Sequence, residues 1–428
     1  MTARVTVPQS MSAQPRELDG LALWIFRAEA GATVLCFLLL SNALIGPLFN
    51  PTQGDDAGFL RLLWLPVYAC AVLLSALRAD KFLRILPGLF IVGALILLCF
   101  VSKFWSIEPG TTLRRTIAVA FTSLFGLYIG ARYRGPQLTQ LLGITFVVLG
   151  VGASIACVLT PGFGVHQGVN AGMWKGLWYE KNQMAAMMTI GFIACATSAY
   201  QVPARRRMWI AFAVLMFFLV LMTRSKTSLL ACMLAAGAFP VFLALRRGGV
   251  MSIVFVWLSA SVALMGSAVY MMAPELIFKA LGKDPTLTGR TEIWASLGRL
   301  SDKRPWLGYG YKAFWTLDSV PAAVVRAETQ WEVPSAHNGW LDLLIQLGWV
   351  GVVLFGAVLI ACYFCALFRY DRVKDGFFSV LMLLLFSFLI MSESFILSQN
   401  SLIWALFVCA MARLTANRFE DGRDGIRP

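Results

Sequence analysis

The apolar residues of this chain lie in long continuous blocks that are separated by short polar connections. Most blocks contain about 15–23 residues, which lets a helix cross a hydrocarbon layer of about 30 Å. Because the apolar positions are continuous and do not alternate, the pattern favours membrane-spanning helices over the strands of an outer-membrane barrel. The twelve predicted spans are residues 30–49, 59–77, 83–101, 115–131, 138–160, 183–200, 208–223, 227–245, 250–272, 348–368, 377–391 and 396–413.

Composition agrees with this pattern. Hydrophobic residues make up 59% of the 428 positions and charged residues only 14%, whereas soluble proteins have about 25% charged residues. These values exclude a soluble enzyme, a secreted disulfide scaffold and a disordered protein. All nine cysteines fall inside apolar blocks, which indicates buried thiols rather than disulfides or metal ligands. The predicted fold class is an all-α integral membrane protein with about twelve transmembrane helices.

The positions of lysine and arginine predict the orientation, because positively charged connections stay in the cytoplasm. The first apolar run is too long for a cleavable signal, so residues 1–29 are predicted to be a cytoplasmic tail. Spans one to nine then occupy residues 30–272, and a long outer loop occupies residues 273–347. Spans ten to twelve occupy residues 348–413, before a cytoplasmic tail of residues 414–428. Within the loop, Thr291 and Ser335 are predicted to cap short helices, the second ending at Gly348.

Some basic residues lie on the outer side, against the orientation rule. Snorkelling to lipid headgroups accounts for Arg61 and Lys103. It does not account for cations that cluster at a helix start or in a very short turn. The clustered outer cations include Arg114, Arg115, Lys181, Arg224 and Lys226. They predict an anionic ligand, and phosphate is the natural candidate because guanidinium and ammonium groups bind its oxygens.

The chain has only two histidines, and His337 is the stronger candidate for chemistry. It is predicted to begin the helix that Ser335 caps, where the positive helix end favours a neutral imidazole that can act as a general base. The alternative is a polar interface residue without a chemical role. His166 lies in a glycine-rich loop, where a structural role is favoured. Glu292 and Glu328 are substitute bases, although Glu292 also fits a helix-start carboxylate paired with a local arginine.

The long outer loop is rich in aromatic residues, including Trp294 and Trp306. Their density argues against disorder, and aromatic faces beside polar groups suit the apolar C–H faces of sugars. No Asp-x-Asp sequence lies on the predicted outer side, and Asp55-Asp56 has no acidic neighbour in its short loop. The sequence therefore predicts no metal and no cofactor.

Several motifs in this order resemble the O-antigen ligase and polymerase family of bacterial membrane enzymes. They are Trp105-Ser106-x-x-Pro109 with Leu113-Arg114-Arg115, Trp174-x-Gly176-Leu177-Trp178 with Lys181-Asn182, Leu221-x-x-Arg224-Ser225-Lys226-Thr227, Thr288-Gly289-Arg290 with Glu292 and Trp294, Pro305-x-x-Gly308-x-Gly310, and Ser335-Ala336-His337-Asn338-x-x-Leu341 with Gly348 and Gly351. The resemblance covers roughly residues 100–400 and looks most like the exopolysaccharide polymerases of the family. Glu180 departs from it, since many members have histidine there.

The resemblance implies a metal-independent, GT-C-like glycosyltransferase of the bacterial inner membrane, with its active site facing the periplasm. Its donor is a glycan on undecaprenyl diphosphate, and its acceptor is a hydroxyl group of a glycan or of the lipid A-core. His337 matches the histidine that activates the acceptor, and Arg290 matches a catalytic arginine. The residues expected to hold the diphosphate are Arg224, Arg115, Arg114, Lys226 and Lys181, and those expected to contact glycan are Trp294, Trp306 and Asn338.

Several functional alternatives stay open at this point. A polymerase is favoured, but a ligase that moves a finished chain to lipid A-core uses the same donor site. A twelve-span transporter is disfavoured because the two halves of the chain show no repeat and mid-span charges are scarce. A non-catalytic scaffold leaves His337 and the outer cations without a role. The expected partners are the lipid-linked donor, the acceptor and the lipid bilayer, with no nucleic acid.

Overall fold

The computed structural model describes residues 20–49, 58–247, 290–369 and 376–416. Within these ranges the chain is helical and has no β-strand beyond one isolated bridge between Val165 and Trp174. The thirteen main helices are α1 (Gly20–Leu40), α2 (Gly58–Leu77), α3 (Leu86–Val101), α4 (Pro109–Arg132), α5 (Gly135–Leu159), α6 (Lys181–Gln201), α7 (Arg206–Met222), α8 (Lys226–Arg247), α9 (Arg290–Ser301), α10 (Val320–Thr329), α11 (Gly339–Arg369), α12 (Gly376–Leu389) and α13 (Leu402–Thr415).

The predicted all-α membrane protein is confirmed at this level. Six helical stretches of the described residues are long and apolar enough to cross a membrane: Gly20–Leu40, Ala79–Phe104, Gly135–Leu159, Lys181–Gln201, Lys226–Leu243 and Gly339–Phe368. Shorter apolar helices lie at Leu62–Leu77, Gly376–Leu389 and Leu402–Thr415. The predicted span 250–272 and the loop residues 273–289 lie outside the described ranges, so the number of twelve spans stays a prediction.

The first predicted span, 30–49, has wrong boundaries. Helix α1 begins at Gly20 and ends at Leu40, where Asn42 and Leu44 take left-handed φ values of 58° and 63°. The helix extends past Glu29 because that carboxylate is buried in ion pairs with Arg78 and Arg132, each at 2.8 Å. A buried charge that is fully paired does not end an apolar helix.

The predicted span 377–391 agrees with α12 to within two residues, but the predicted span 396–413 begins too early. Residues 390–401 form an irregular segment, and α13 begins only at Leu402. Side chains from other elements bind the backbone of this segment. The Tyr311 hydroxyl donates to the Leu397 carbonyl at 2.6 Å, and the Asn400 amide donates to Thr122 Oγ1 at 3.0 Å. Irregular backbone within a membrane protein is stable only when other protein groups satisfy its hydrogen bonds.

Helix α13 forms the centre of the bundle and is buried along its whole length. It packs against α4 at two glycines that are four residues apart, Gly126 and Gly130. A Cβ atom on Gly126 would lie 2.6 Å from the Ala405 carbonyl oxygen, so only glycine allows the two backbones to approach this closely. Small residues at this spacing are typical of helix pairs in membranes.

A polar cluster ties three helices together at one end of the bundle. Glu29 of α1 accepts hydrogen bonds from Arg78, from Arg132 and from the Tyr128 hydroxyl. Nearby, Arg413 of α13 donates to the Tyr133 carbonyl at 2.6 Å. The sequence predicts all these positions to be near the cytoplasm, and the structure brings them to a common end.

The opposite end carries the segment 302–319, which packs against a break in α11. Gly348 has φ 63° and ψ −166°, a conformation open only to glycine, and the helix resumes after it. At the break, the amide of Trp349 donates to the Pro305 carbonyl at 2.8 Å and that of Val350 to the Trp306 carbonyl at 3.2 Å. The predicted stop at Gly348 is therefore a break within one helix that anchors the loop.

Candidate active site

His337 lies in the loop that leads into α11, and its local setting differs from the prediction. Helix α11 begins at Gly339, because Asn338 Oδ1 accepts the amides of Trp340 at 3.0 Å and Leu341 at 3.2 Å. Asn338 is therefore the N-cap, and the prediction that Ser335 caps this helix is wrong. His337 stands before the cap with a left-handed φ of 46°.

Three side chains hold the segment around His337. Trp294 of α9 donates its Nε1–H to the Ala336 carbonyl at 3.0 Å, and Asp342 Oδ1 accepts the Ala336 amide at 3.4 Å. The imidazole is stacked on the Trp331 ring, with centroids 5.6 Å apart and planes 9° apart. Neither ring nitrogen has a hydrogen-bond partner among the described residues. The ring is thus held in place by stacking, and both of its nitrogens are buried.

Glu393 lies between His337 and Arg290, the two residues that were predicted to be catalytic. One carboxylate oxygen is 3.5 Å from His337 Nδ1, and the other is 3.6 Å from Arg290 Nη2. Arg290, at the start of α9, also donates through Nη1 to the Ser392 carbonyl at 3.0 Å. The structure therefore brings Arg290 and His337 together through a carboxylate that sequence reasoning missed. The available signal was an acidic residue in the short outer connection between the last two predicted spans.

A second polar group forms where α6 and α8 begin. The Ser225 hydroxyl donates to Asn182 Oδ1 at 2.9 Å, which fastens the turn 224–226 to the start of α6. The Lys181 ammonium is 3.0 Å from Asn170 Oδ1 and close enough to Lys226 for the two charges to interact. Arg224, with φ 51°, and Lys226 both expose their side chains. Three of the predicted diphosphate ligands therefore lie together here.

Glu180 connects this second group electrostatically to His337. The pKa of its carboxyl is raised, chiefly by burial. Glu393 adds to the increase, whereas Lys175, Lys181 and His337 each offset part of it. His166 Nε2 accepts the Lys181 amide at 3.1 Å, and burial beside the same two lysines lowers the pKa of its imidazole. His166 thus holds the glycine-rich loop against the start of α6.

The two arginines of α4 face different surroundings. Arg115 is half-buried and interacts electrostatically with Lys312 and Tyr311, in a cluster where burial lowers the pKa of Lys312. Arg114 is exposed, and its guanidinium donates to Thr111 Oγ1 at 3.3 Å. The α4 cations, with Lys312 and Tyr311 near Arg115, form a third polar group.

Trp306 and two carboxylates of the outer loop have settings of their own. Trp306 is 69% exposed at the Gly348 break. Glu328 pairs with Arg299 at 2.6 Å, and Glu332 pairs with Arg326 at 3.4 Å. Across the described ranges, no three His, Cys, Asp or Glu side chains come close enough to hold a metal ion.

Comparisons with known proteins agree with the motifs. Residues 211–356 match the model of a family described as O-antigen ligase. The chain is also 27% identical over 368 residues to the exopolysaccharide production protein ExoQ of Rhizobium meliloti (strain 1021), an alignment that covers 82% of this chain and 75% of that protein. The matched family region contains Arg224, Arg290 and His337.

Proposed function

We propose that this chain, a member of the O-antigen ligase and polymerase family, is a membrane glycosyltransferase that moves a glycan from undecaprenyl diphosphate to an acceptor hydroxyl at the periplasmic face. The observation that carries the proposal is the arrangement of His337, Glu393 and Arg290, in which a carboxylate lies within 3.6 Å of both the imidazole and the guanidinium. This arrangement places a proton acceptor, the imidazole, near a guanidinium that can bind the departing phosphate.

In the proposed step, one bond forms, one bond breaks and one proton is transferred. The acceptor oxygen attacks the anomeric carbon of the donor while the bond from that carbon to the diphosphate oxygen breaks. His337 takes the acceptor proton, and the bonding pair leaves with the lipid diphosphate. Glu393 stabilises the imidazolium that forms, because an opposite charge within about 4 Å favours the protonated ring.

The outer cations bind and neutralise the leaving diphosphate in this mechanism. Arg290 approaches the site from the start of α9, and Lys181, Arg224 and Lys226 approach from the starts of α6 and α8. Arginine stays protonated and offers a planar set of donors for phosphate oxygens. Fixed cations of this kind stabilise the charge that develops as the bond breaks.

We propose a polymerase because the relative matched over most of both chains is an exopolysaccharide production protein. The matched family description favours a ligase as the second candidate. Deleting the gene and analysing the lipid-linked glycans by gel and mass spectrometry separates the two. Single repeat units on the lipid would identify a polymerase, and long chains held on the lipid a ligase. An unchanged glycan profile would contradict both and favour a transporter.

The residue assignment is tested with purified protein in detergent, with donor binding and turnover measured separately. His337→Ala should lose turnover, by about 10²–10⁴-fold or more, and still bind donor. Arg290→Ala should both weaken donor binding and slow turnover. Arg299→Ala removes an exposed arginine of the same helix and serves as the matched control. Full turnover in His337→Ala would refute the base assignment.

We also propose that the reaction needs no divalent metal, because guanidinium and ammonium groups supply the positive charge. Turnover measured after exhaustive chelation should equal that of untreated protein. A loss that Mg²⁺ or Mn²⁺ restores would overturn this part of the proposal.

A further inference from the structure

The indole of Trp331 covers one face of the His337 imidazole. The two rings are nearly parallel, with planes 9° apart and centroids 5.6 Å apart, as in an offset stack. The His337 side chain is 20% exposed, yet both of its nitrogens are buried, so its exposed surface belongs to carbon atoms. A general base must come within hydrogen-bond reach of the proton that it abstracts. An incoming hydroxyl therefore reaches a nitrogen only after a group beside the ring has moved.

The backbone of the His337 segment is fixed on both sides of the ring. Trp294 binds the Ala336 carbonyl, Asp342 binds the Ala336 amide, and Asn338 caps α11. His337 itself has a left-handed φ of 46°, which a residue with a side chain keeps only where its surroundings impose it. The change that opens a nitrogen is therefore expected in a neighbouring side chain.

The two side chains that lie against the imidazole differ in their freedom to move. Glu393 is 25% exposed and is held by its ion pair with Arg290 at 3.6 Å. Trp331 is 45% exposed and lies in the coil that follows α10, where its carbonyl accepts the amide of the fully buried Val333 at 2.8 Å. The indole can thus rotate about its side-chain bonds while the backbone stays anchored. Rotamer changes of exposed side chains are fast compared with enzyme turnover.

Covering the base matters because the proposed donor can react with water. A glycan on a diphosphate is already activated, and a water oxygen can attack its anomeric carbon as a sugar hydroxyl does. The bond to the diphosphate oxygen then breaks, the base takes a proton from the water, and the product is a free glycan. Enzymes that handle activated groups prevent such hydrolysis by excluding water. An apolar ring over the imidazole does this for His337.

A sugar can displace the indole where water cannot. A ligand shifts a conformational equilibrium only if it interacts more favourably with one of the two states. The apolar C–H face of a sugar can stack on the indole, which then keeps a stacking partner after it leaves the imidazole. A water molecule has no such face and does not compensate for the lost contact. The open state is therefore favoured by an acceptor sugar and not by solvent.

We propose that Trp331 is a specificity-determining residue of the transfer reaction, because its indole shields His337 from water until an acceptor sugar displaces it. The inference rests on the proposed function and extends it to the choice between two nucleophiles, a sugar hydroxyl and water. Trp331 is itself exposed beside the base, so it is also the surface that the arriving sugar meets first.

The cover is tested without turnover, by the reactivity of the histidine nitrogens in the full-length chain in detergent. Diethyl pyrocarbonate acylates accessible imidazole nitrogens, and peptide mass spectrometry follows His337 and His166 separately. Trp331→Ala should raise the acylation rate of His337 by about tenfold or more, because an open state populated at about 10% or less becomes the main state. His166 should react at an unchanged rate and serves as the internal reference, since its Nε2 accepts the Lys181 amide.

Two further variants separate the cover from general effects. Trp331→Phe keeps an aromatic face and should retain most of the protection of His337. Trp349→Ala is the matched control, because Trp349 is 48% exposed, lies on α11 after the break, and uses only its backbone amide to bind the loop. Its acylation pattern should equal that of wild type.

The functional test is the ratio of hydrolysed to transferred glycan. The donor is lipid-linked glycan purified from the gene-deletion strain, and free and elongated glycans are counted by mass spectrometry. Trp331→Ala should raise the ratio by about tenfold or more, because water gains access to a base that contributes about 10²–10⁴-fold. A purely structural role of Trp331 would lower both products together and leave the ratio unchanged.

Several outcomes would overturn the inference. Equal acylation of His337 in wild type and Trp331→Ala would show that the indole does not cover the ring. Faster acylation with an unchanged product ratio would refute the role in choosing the nucleophile. The same changes in Trp349→Ala would show that they are not specific to Trp331. A wild-type protein that neither transfers nor hydrolyses the glycan would contradict the proposed function, and the acylation rates would still decide whether Trp331 covers His337.

Discussion

At the scale of single residues, the site depends on how a carboxylate and an imidazole are held. The two carboxylate oxygens of Glu393 lie within 3.6 Å of the His337 imidazole and of the Arg290 guanidinium. A carboxylate in this position orients the ring and favours its protonated form as the acceptor proton arrives. We therefore assign Glu393 as a positioning residue of the proposed reaction.

Glu393→Gln should lower kcat by less than the about 10²–10⁴-fold that a general base contributes, because the base itself remains. The KM for the donor should rise as well, since Arg290 loses its ion pair. Glu393→Asp should recover part of the rate because it keeps the charge. The measurement is steady-state turnover, with Glu332→Gln, which removes an exposed carboxylate, as the control. A kcat for Glu393→Gln equal to that of wild type would refute the assignment.

Glu180 gives a prediction about pH at the same scale. Because burial raises the pKa of this carboxyl above 4.5, the folded protein binds its proton more tightly than the unfolded chain does. Stability from this group is present at low pH and is lost as pH rises through the raised pKa. The Tm of Glu180→Gln should therefore increase relative to wild type as pH rises from 4 to 7, as measured by thermal unfolding in detergent. A Tm difference that is independent of pH would contradict this.

At the scale of elements, the break in α11 positions the loop that carries the site. The segment 305–310 passes so close to Gly348 that a Cβ atom there would overlap the Trp306 backbone. Gly348 also has a φ of 63° and a ψ of −166°, which cost other residues about 1–3 kcal/mol. The break, rather than the end of a helix, lets the loop cover α11.

Gly348→Ala should therefore lower the Tm and reduce turnover, because the segment 305–310 must move away from α11. Gly356→Ala lies on the same helix with open space around it, and alanine should be tolerated there because its helix propensity exceeds that of glycine. Thermal unfolding and turnover of the two variants provide the comparison. Equal Tm values for both would show that the break does not position the loop.

At the scale of the whole molecule, two ends of the bundle have different polar organisation. The end near the chain start contains one buried carboxylate whose partners satisfy it fully, whereas the opposite end contains several cations around His337 and the α4 helix start. A paired network stabilises the packing of α1 on α2 and α4. An excess of cations favours the binding of an anionic substrate.

Glu29→Ala should destabilise the protein, since removing one partner of a buried ion pair costs about 3–5 kcal/mol. Arg78 is 30% exposed and can be rehydrated, so the loss belongs at the lower end of that range. The free energy of unfolding in detergent gives the value. Asp80→Asn removes an exposed partner of Lys81 and should leave that free energy nearly unchanged. A Glu29→Ala protein as stable as Asp80→Asn would show that the network does not hold the helices together.

The sequence by itself determined that this is a helical membrane protein, because the length and continuity of an apolar block are local properties that the bilayer thickness constrains. It also showed a resemblance to the O-antigen ligase and polymerase family and pointed to His337 and Arg290, since their motifs are short and contiguous. Only the tertiary structure placed Glu393 beside His337, from 56 positions further along the chain. It also decided between Ser335 and Asn338 as the cap, and turned Arg115 inward and Arg114 outward. These outcomes depend on how distant helices pack and on which buried polar atoms find partners, and neither property can be read from the pattern of one segment.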